Sequence, residues 1–212
     1  MSHPPAWRTW AAVFTVAALA FAGGLALSHY QTGRATGVDG LLWPDPPRID
    51  TVDLLDTDGR PFTADALRGR WSLLFFGFTH CPDICPLTLD VLARAHRALK
   101  SNVHYGARGQ VVFVSVDPER DTPALLADYV RHFDSEFVAV TAPIDRLSGF
   151  TRKLGVLFAK VAQGGGDYSV DHSAGIFFID PELRLVSVLT PPHDLAAVLD
   201  RFTRVSAFIA TL

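Results

Sequence analysis

Apolar and polar positions along this chain fall into blocks whose period changes from one stretch to the next. The longest uncharged block runs from Trp10 to Leu27. As a helix rising about 1.5 Å per residue it is about 27 Å long, close to a hydrocarbon core of about 30 Å. Trp7 and Trp10 before it and Tyr30 after it suit interfacial anchors. The block predicts a membrane anchor over residues 1–30, with a signal peptide cleaved near Ala26-Leu27-Ser28 as the competing reading. Either one exports whatever follows. Arg8 and Arg34 flank the run on opposite sides, so the positive-inside signal nearly cancels. Residues 31–50 gather Gly33, Gly37, Gly40, Pro44, Pro46 and Pro47 without a period and predict a linker.

From residue 51 the pattern is that of one folded domain, 51–212. Thr51–Leu55 and Arg60–Thr63 around Asp58-Gly59 predict a hairpin with a primed turn. Trp71–Phe78 is almost continuously apolar, as a strand covered on both faces should be. Pro86 suits a first helical position, and Leu87, Val91, Leu92, Ala95 and Leu99 form a helical stripe through Lys100. Val111–Val116 predicts a second central strand, and Thr122-Pro123 starts a helix through Phe133. A short strand over Phe137–Thr141 and a helix over Ile144–Leu154 follow. Gly164-Gly165-Gly166 marks a mobile turn before Tyr168-Ser169-Val170. Ala174–Asp180 and Leu185–Leu189 predict paired strands, and Asp194–Phe208 a closing helix. Strands alternating with helices and ending in a hairpin predict an α/β fold with a mixed central sheet flanked by helices.

Composition narrows the function classes. The 212 residues are 49% hydrophobic and include 15 Phe, enough for a core that needs no disulfides. The net charge of −3 supplies no basic face for nucleic acid. Charges of both signs are interspersed, as on a solvated surface.

The two cysteines of the chain stand in Thr79-His80-Cys81-Pro82-Asp83-Ile84-Cys85-Pro86. That places them between a central strand and a helix, where open α/β sheets carry their sites. Three chemistries fit: a thiophilic metal site, dithiol–disulfide redox work, or a structural disulfide in an exported protein. Cys85 falls at or near the helix N-cap, where the dipole favours a thiolate. A thiolate serves both metal binding and redox chemistry, so that point does not choose between them. Three intervening residues, one more than in the usual dithiol motif, also open the bite for a metal ion.

A third ligand decides, and there are eight histidines to choose from. His3 and His29 flank the apolar block. His96, His104, His132 and His193 read as solvated, and His80 as a supporting residue, because neighbours on a strand point to opposite faces. His172, after the glycine turn and before an apolar strand, is the candidate that could fold over the cysteines. A surface histidine beside Asp171 is the plainer reading. Two thiolates and one imidazole suit copper better than structural zinc, which usually takes four ligands. Asp83, Asp117 and Asp171 are candidates for tuning the metal or orienting the imidazole, and equally ordinary capping or turn residues.

Three segments in register, Gly77–Pro86, Ser115–Pro123 and Tyr168–Ser173, resemble the signatures of the Sco/SenC/PrrC proteins. The likeness extends over about residues 48–210. It implies a thioredoxin-like fold behind a membrane anchor, and copper ligation by Cys81, Cys85 and His172. The implied role is a metallochaperone in the inner membrane whose single-pass anchor leaves the C-terminal domain facing the periplasm. Its implied partners are the copper-receiving subunit of cytochrome c oxidase and other copper chaperones. Hand-off by ligand exchange would use the Gly164–Gly166 turn to swing His172 away. The same resemblance leaves open a thiol–disulfide reductase with Cys81 and Cys85 as catalytic residues, or a thiol peroxidase or redox sensor.

Overall fold

In the computed structural model the described residues are 45–211, together with Thr15, Phe21, Gly23 and Gly24, which are helical. The anchor expected over Trp10–Leu27 lies otherwise outside the described residues. Among those described, no helix is long and apolar enough to cross a membrane. The chain divides into two compact units, 1–39 and 40–212, and the fold below is that of the second.

Nine strands form two sheets among the described residues. They are β1 (Leu54–Asp56), β2 (Pro61–Phe62), β3 (Ser72–Gly77), β4 (Gln110–Ser115), β5 (Val138–Thr141), β6 (Phe158–Gly164), β7 (Asp167–His172), β8 (Ile176–Ile179) and β9 (Leu185–Leu189). Four α-helices among the described residues of this unit accompany them: α1 (Ile84–Leu99), α2 (Pro123–Phe133), α3 (Ile144–Lys153) and α4 (Leu195–Ile209). Seven strands pair in the order β2-β1-β5-β4-β3-β8-β9, while β6 and β7 pair only with each other. β3, β4 and β5 run parallel, β8 pairs antiparallel with β3, and β9 pairs antiparallel with β8. The sheet is therefore mixed, as the alternation of elements predicts.

The apolar run of β3 is explained by its place at the centre. All its residues are buried, in register with β4 from Ser72 opposite Gln110 to Gly77 opposite Ser115. Alternate side chains serve opposite faces. Leu73 and Phe75 join a core with Leu89, Leu92 and Phe202 from α1 and α4. Leu74, Phe76 and Phe78 join one with Leu147 and Phe150 of α3. Each such side chain contributes about 1.5–3 kcal/mol on full burial. Two cores thus clamp the strand that leads into the cysteine loop.

Several local expectations need correcting. Pro86 is the third helical residue, after Ile84 and Cys85, with Asp83 as N-cap. The first four N–H groups of a helix have no internal partner, so proline removes nothing there. The buried stripe of α1 comprises Cys85, Thr88, Leu89, Leu92, Ala93, Ala95, His96 and Leu99, while Leu87 is exposed. The first hairpin closes over a three-residue loop: Gly59 N–H bonds the Asp56 carbonyl, and Asp56 N–H bonds that of Arg60. Gly59 there has φ +75°, a left-handed value that favours glycine. Residues 47–49, read as linker, belong to the domain. Ile49 N–H bonds the Leu183 carbonyl at 2.8 Å, and Leu185 N–H bonds that of Pro47 at 3.0 Å.

Candidate metal centre

β3 ends at Gly77, a loop carries Cys81, and α1 opens with Ile84 and Cys85. The missing side chain of Gly77 has a local cause. A Cβ there would stand 2.8 Å from Cys85 Sγ and 2.9 Å from the Phe113 ring. Cys85 is fully buried and Cys81 half-buried, both with free thiols. A cleft of about 310 Å³, lined by Phe78, Cys81, Pro82, Ile84, Val170 and His172 among others, opens this corner to solvent.

His172 ends β7, paired in register with Phe158 of β6. Its Nδ1–H donates to the Ser173 carbonyl at 3.2 Å, which leaves Nε2 as the free lone pair. The rings of Phe75 and Phe78 meet the imidazole edge-on, with centroids 6.3 and 5.9 Å away. Nε2 lies 3.6 Å from Cys85 Sγ. The ligand atoms of Cys81, Cys85 and His172 all lie within 4.8 Å of one another. Three donors around one first-row metal, with bonds of about 2.0–2.3 Å, stand about 4 Å apart in a trigonal plane. Soft sulfur and imidazole at this spacing fit a copper ion.

The thiols are unequal. Cys81 is pulled down to about 4, chiefly because Cys85 hydrogen-bonds to its thiolate, with His172 and nearby backbone amides adding and partial burial opposing. Cys85 is pushed up, chiefly by that same bond and then by burial. The pair shares one proton, held on Cys85, with the negative charge on the accessible sulfur.

Two buried aspartates on the loop after β4 hold the ligand-bearing segments. Asp121 accepts from Thr79 N–H at 3.1 Å, from the Thr79 hydroxyl at 2.6 Å and from the Ser115 hydroxyl at 2.6 Å. It thereby fixes the start of the cysteine loop. Asp117 accepts from the Tyr168 hydroxyl at 2.8 Å and from Arg120 Nε at 2.5 Å. Arg120 Nη1 also donates to the Tyr168 carbonyl at 2.8 Å, and its guanidinium stacks 3.7 Å from the Tyr168 ring centroid. Ser115 links the halves, since its Oγ also accepts from Asp117 N–H at 3.1 Å.

The structure brings together Cys81, Cys85 and His172; His3 and His29 lie outside the described residues, and no other described histidine joins the cluster. His80 sits half-exposed, with Nδ1 3.0 Å from Thr79 Oγ1. His104 and His132 are exposed, as expected. His96 is not solvated: it is 1% exposed, bonded to the Tyr105 hydroxyl at 2.6 Å and to Glu136 at 3.0 Å. His193 is also half-buried, between the Thr88 hydroxyl at 3.1 Å and the Leu189 carbonyl at 3.1 Å. Both histidines lie among apolar residues from distant elements, which a single element's pattern does not reveal. Asp83 and Asp171 are exposed, and the imidazole is oriented by a backbone carbonyl instead. The Gly164–Gly166 turn joins β6 to β7 at the end opposite His172, about 20 Å away at strand rise. It is no hinge beside the imidazole. Arg120 and Asp121, which organise the centre, stand in the Ser115–Pro123 segment but carried no role there.

Residues 48–207 match the model of the SCO1/SenC family. The chain belongs to that family. Among its relatives it is 37% identical over 147 residues to protein SCO1 homolog 1, mitochondrial, of Arabidopsis thaliana, covering 69% of this chain and 43% of that protein. Protein SCO2, mitochondrial, of Saccharomyces cerevisiae is 36% identical over 151 residues, covering 70% of this chain and 50% of that one. The chain therefore spans about half the length of these two relatives. The crystal structure of Arabidopsis thaliana ScoI with copper bound matches with a TM-score of 0.69 at 34% identity, covering 76% of this chain and 98% of that one. The mixed sheet and its helices are thus the α/β, thioredoxin-like fold of SCO1/SenC proteins.

Proposed function

We propose that this SCO1/SenC protein binds one copper ion through Cys81, Cys85 and His172 and passes it to the copper-receiving subunit of a cytochrome c oxidase. The observation that carries the reading is the convergence of three donor atoms, from two separate segments, within 4.8 Å. Copper in the Arabidopsis ScoI structure supports the choice of metal, and family membership supports the choice of recipient.

Two thiolates with Cu(I) leave a net charge of −1, and with Cu(II) none, so the site tolerates both states. Hand-off runs by ligand exchange. A thiolate of the acceptor adds to the copper, the neutral imidazole of His172 leaves, and the cysteine sulfurs follow. Of the protons displaced from the acceptor thiols, one returns to Cys85 and the other goes to solvent, which leaves Cys81 as the thiolate. The exposed Leu87 on α1 and Leu157 at the foot of β6 offer apolar contact on both ligand-bearing segments. Trp10–Leu27 tethers the domain to the inner membrane on its periplasmic side, within reach of an oxidase.

Copper-loaded full-length protein mixed with a reduced acceptor dithiol tests the reading. Transfer in a 1:1 ratio is expected, and retention of copper by this protein, or failure to load, contradicts it. A second reading has its own observation in its favour: a Cys81 thiolate beside a protonated Cys85 is the form in which a dithiol reductant attacks a disulfide. Metal-free protein that reduces an oxidised acceptor as fast after His172→Ala as before supports that reductase over the chaperone.

A further inference from the structure

The hairpin that carries His172 is not part of the main sheet, since β6 and β7 pair only with each other. On its apolar side Val170 is 3% exposed in the core, with Phe158 and Tyr168 packed partly against it. Its polar ties are few. Apart from the contacts of His172 with Cys81 and Cys85, those found among the described residues all run to Asp117, Glu119 and Arg120.

We propose that Arg120 and Tyr168 are positioning residues that clasp the β6–β7 hairpin and so set how long His172 stays on the metal. The inference rests on the copper reading above. Tyr168 stands four residues before His172 on the same strand, so it fixes that strand's height over the cysteine loop. Its hydroxyl donates to Asp117, its carbonyl accepts from Arg120, and its ring lies 3.7 Å from the Arg120 guanidinium and 4.7 Å from Lys160 Nζ. Burial and the bond to Asp117 push the phenol up to about 12, so the hydroxyl remains a donor across the physiological range. Asp117 is fully buried and its partner Arg120 mostly so, which keeps the clasp strong against solvent screening.

The clasp also has a second end. Through Ser115 and Asp121 the same loop grips Thr79, two residues before Cys81. The hairpin and the cysteine loop are therefore both referred to residues 115–121. Loosening Tyr168 releases one end only. The cysteines keep their anchor while the imidazole gains freedom, and copper left on two thiolates is open to an incoming third. Cu(I) accepts two thiolates, whereas Cu(II) needs the imidazole. The clasp therefore governs Cu(II) retention far more than Cu(I) retention.

The test compares full-length wild type, Tyr168→Phe and Arg120→Lys. Tyr168→Phe keeps the ring and loses only the bond to Asp117. Arg120→Lys keeps the charge beside Asp117 and loses the planar stack. In metal-free protein, amides of residues 158–172 are expected to exchange about tenfold faster in each variant, the loss of one hydrogen bond to a charged group, while β3 and β4 are unchanged. With copper, Cu(II) dissociation should quicken about tenfold, with Cu(I) affinity held within about threefold. Unaltered hairpin exchange in both variants overturns the proposal, and so does a rise of equal size in β3 and β4, which makes the pair general stabilisers. If wild type takes up no copper, the copper reading fails, and the exchange experiment alone still decides whether the clasp exists.

Discussion

Cys85 Sγ and His172 Nε2 lie 3.6 Å apart although 87 positions separate them in the chain. The contact is made where two independently supported segments meet. One is the loop and first turn that follow β3, the other the end of a hairpin outside the main sheet. With Nδ1–H committed to the Ser173 carbonyl, the imidazole offers its lone pair to the corner the sulfurs face. What makes the pair reactive is its third member, Cys81, which bears the charge.

Cys81, pulled down to about 4, should be a thiolate through the whole physiological range. In metal-free protein its alkylation rate should be flat from about pH 9 down to about pH 5, where an ordinary cysteine slows below about 8.5. Mass mapping should find Cys81 modified before the buried Cys85. A rate that rises through pH 8–9 contradicts the shared-proton arrangement.

Gly77→Ala places a methyl 2.8 Å from Cys85 Sγ and 2.9 Å from the Phe113 ring. Overpacking of this kind costs about 1–3 kcal/mol and should displace the sulfur from the imidazole. Urea unfolding should show that loss, together with weaker copper binding. Unchanged values for both mean that the strand end is softer than the geometry implies.

Asp121 takes hydrogen bonds from Thr79 and Ser115 in a site that is 1% exposed. Asp121→Ala strands those donors, and the expected cost is about 2–4 kcal/mol. The cysteine loop should loosen at the same time, seen as faster exchange at Thr79 and Cys81. A variant as stable as wild type contradicts this anchoring role.

The fold was readable because its signals are local. The continuous apolar run of β3, the Thr122-Pro123 start of α2 and the paired runs of β8 and β9 each depend on neighbours in sequence. Thr122 does cap α2, accepting from Leu125 N–H at 3.3 Å. β6 escaped notice because most of its residues are exposed and its pattern is neither alternating nor apolar. His172 became a firm candidate ligand only through its likeness to a known signature. The roles of the buried His96, of Arg120 and of Asp121 are hidden for one reason: their partners lie on other elements, and no period in the sequence encodes such a meeting.

His193 provides a test of stability against pH. Burial pushes its pKa below the ordinary value of 6.5, with the Leu189 carbonyl opposing. The unfolded chain then binds the proton more readily than the folded one. Stability is therefore full above about 6.5 and falls as the pH drops toward the folded value. Urea unfolding between pH 7 and pH 5 should show a shallower decline in His193→Gln than in wild type. Equal slopes contradict the assignment.

The most direct test of the copper site is a titration of reduced full-length protein with Cu(I) and with Cu(II), repeated for His172→Ala. Wild type should bind one copper in either state, with a thiolate-to-Cu(II) charge-transfer band. His172→Ala should lose that band and at least about tenfold in Cu(II) affinity while keeping most of its Cu(I) affinity. Equal binding of both states by the two proteins, or no 1:1 complex in wild type, contradicts a site built from Cys81, Cys85 and His172.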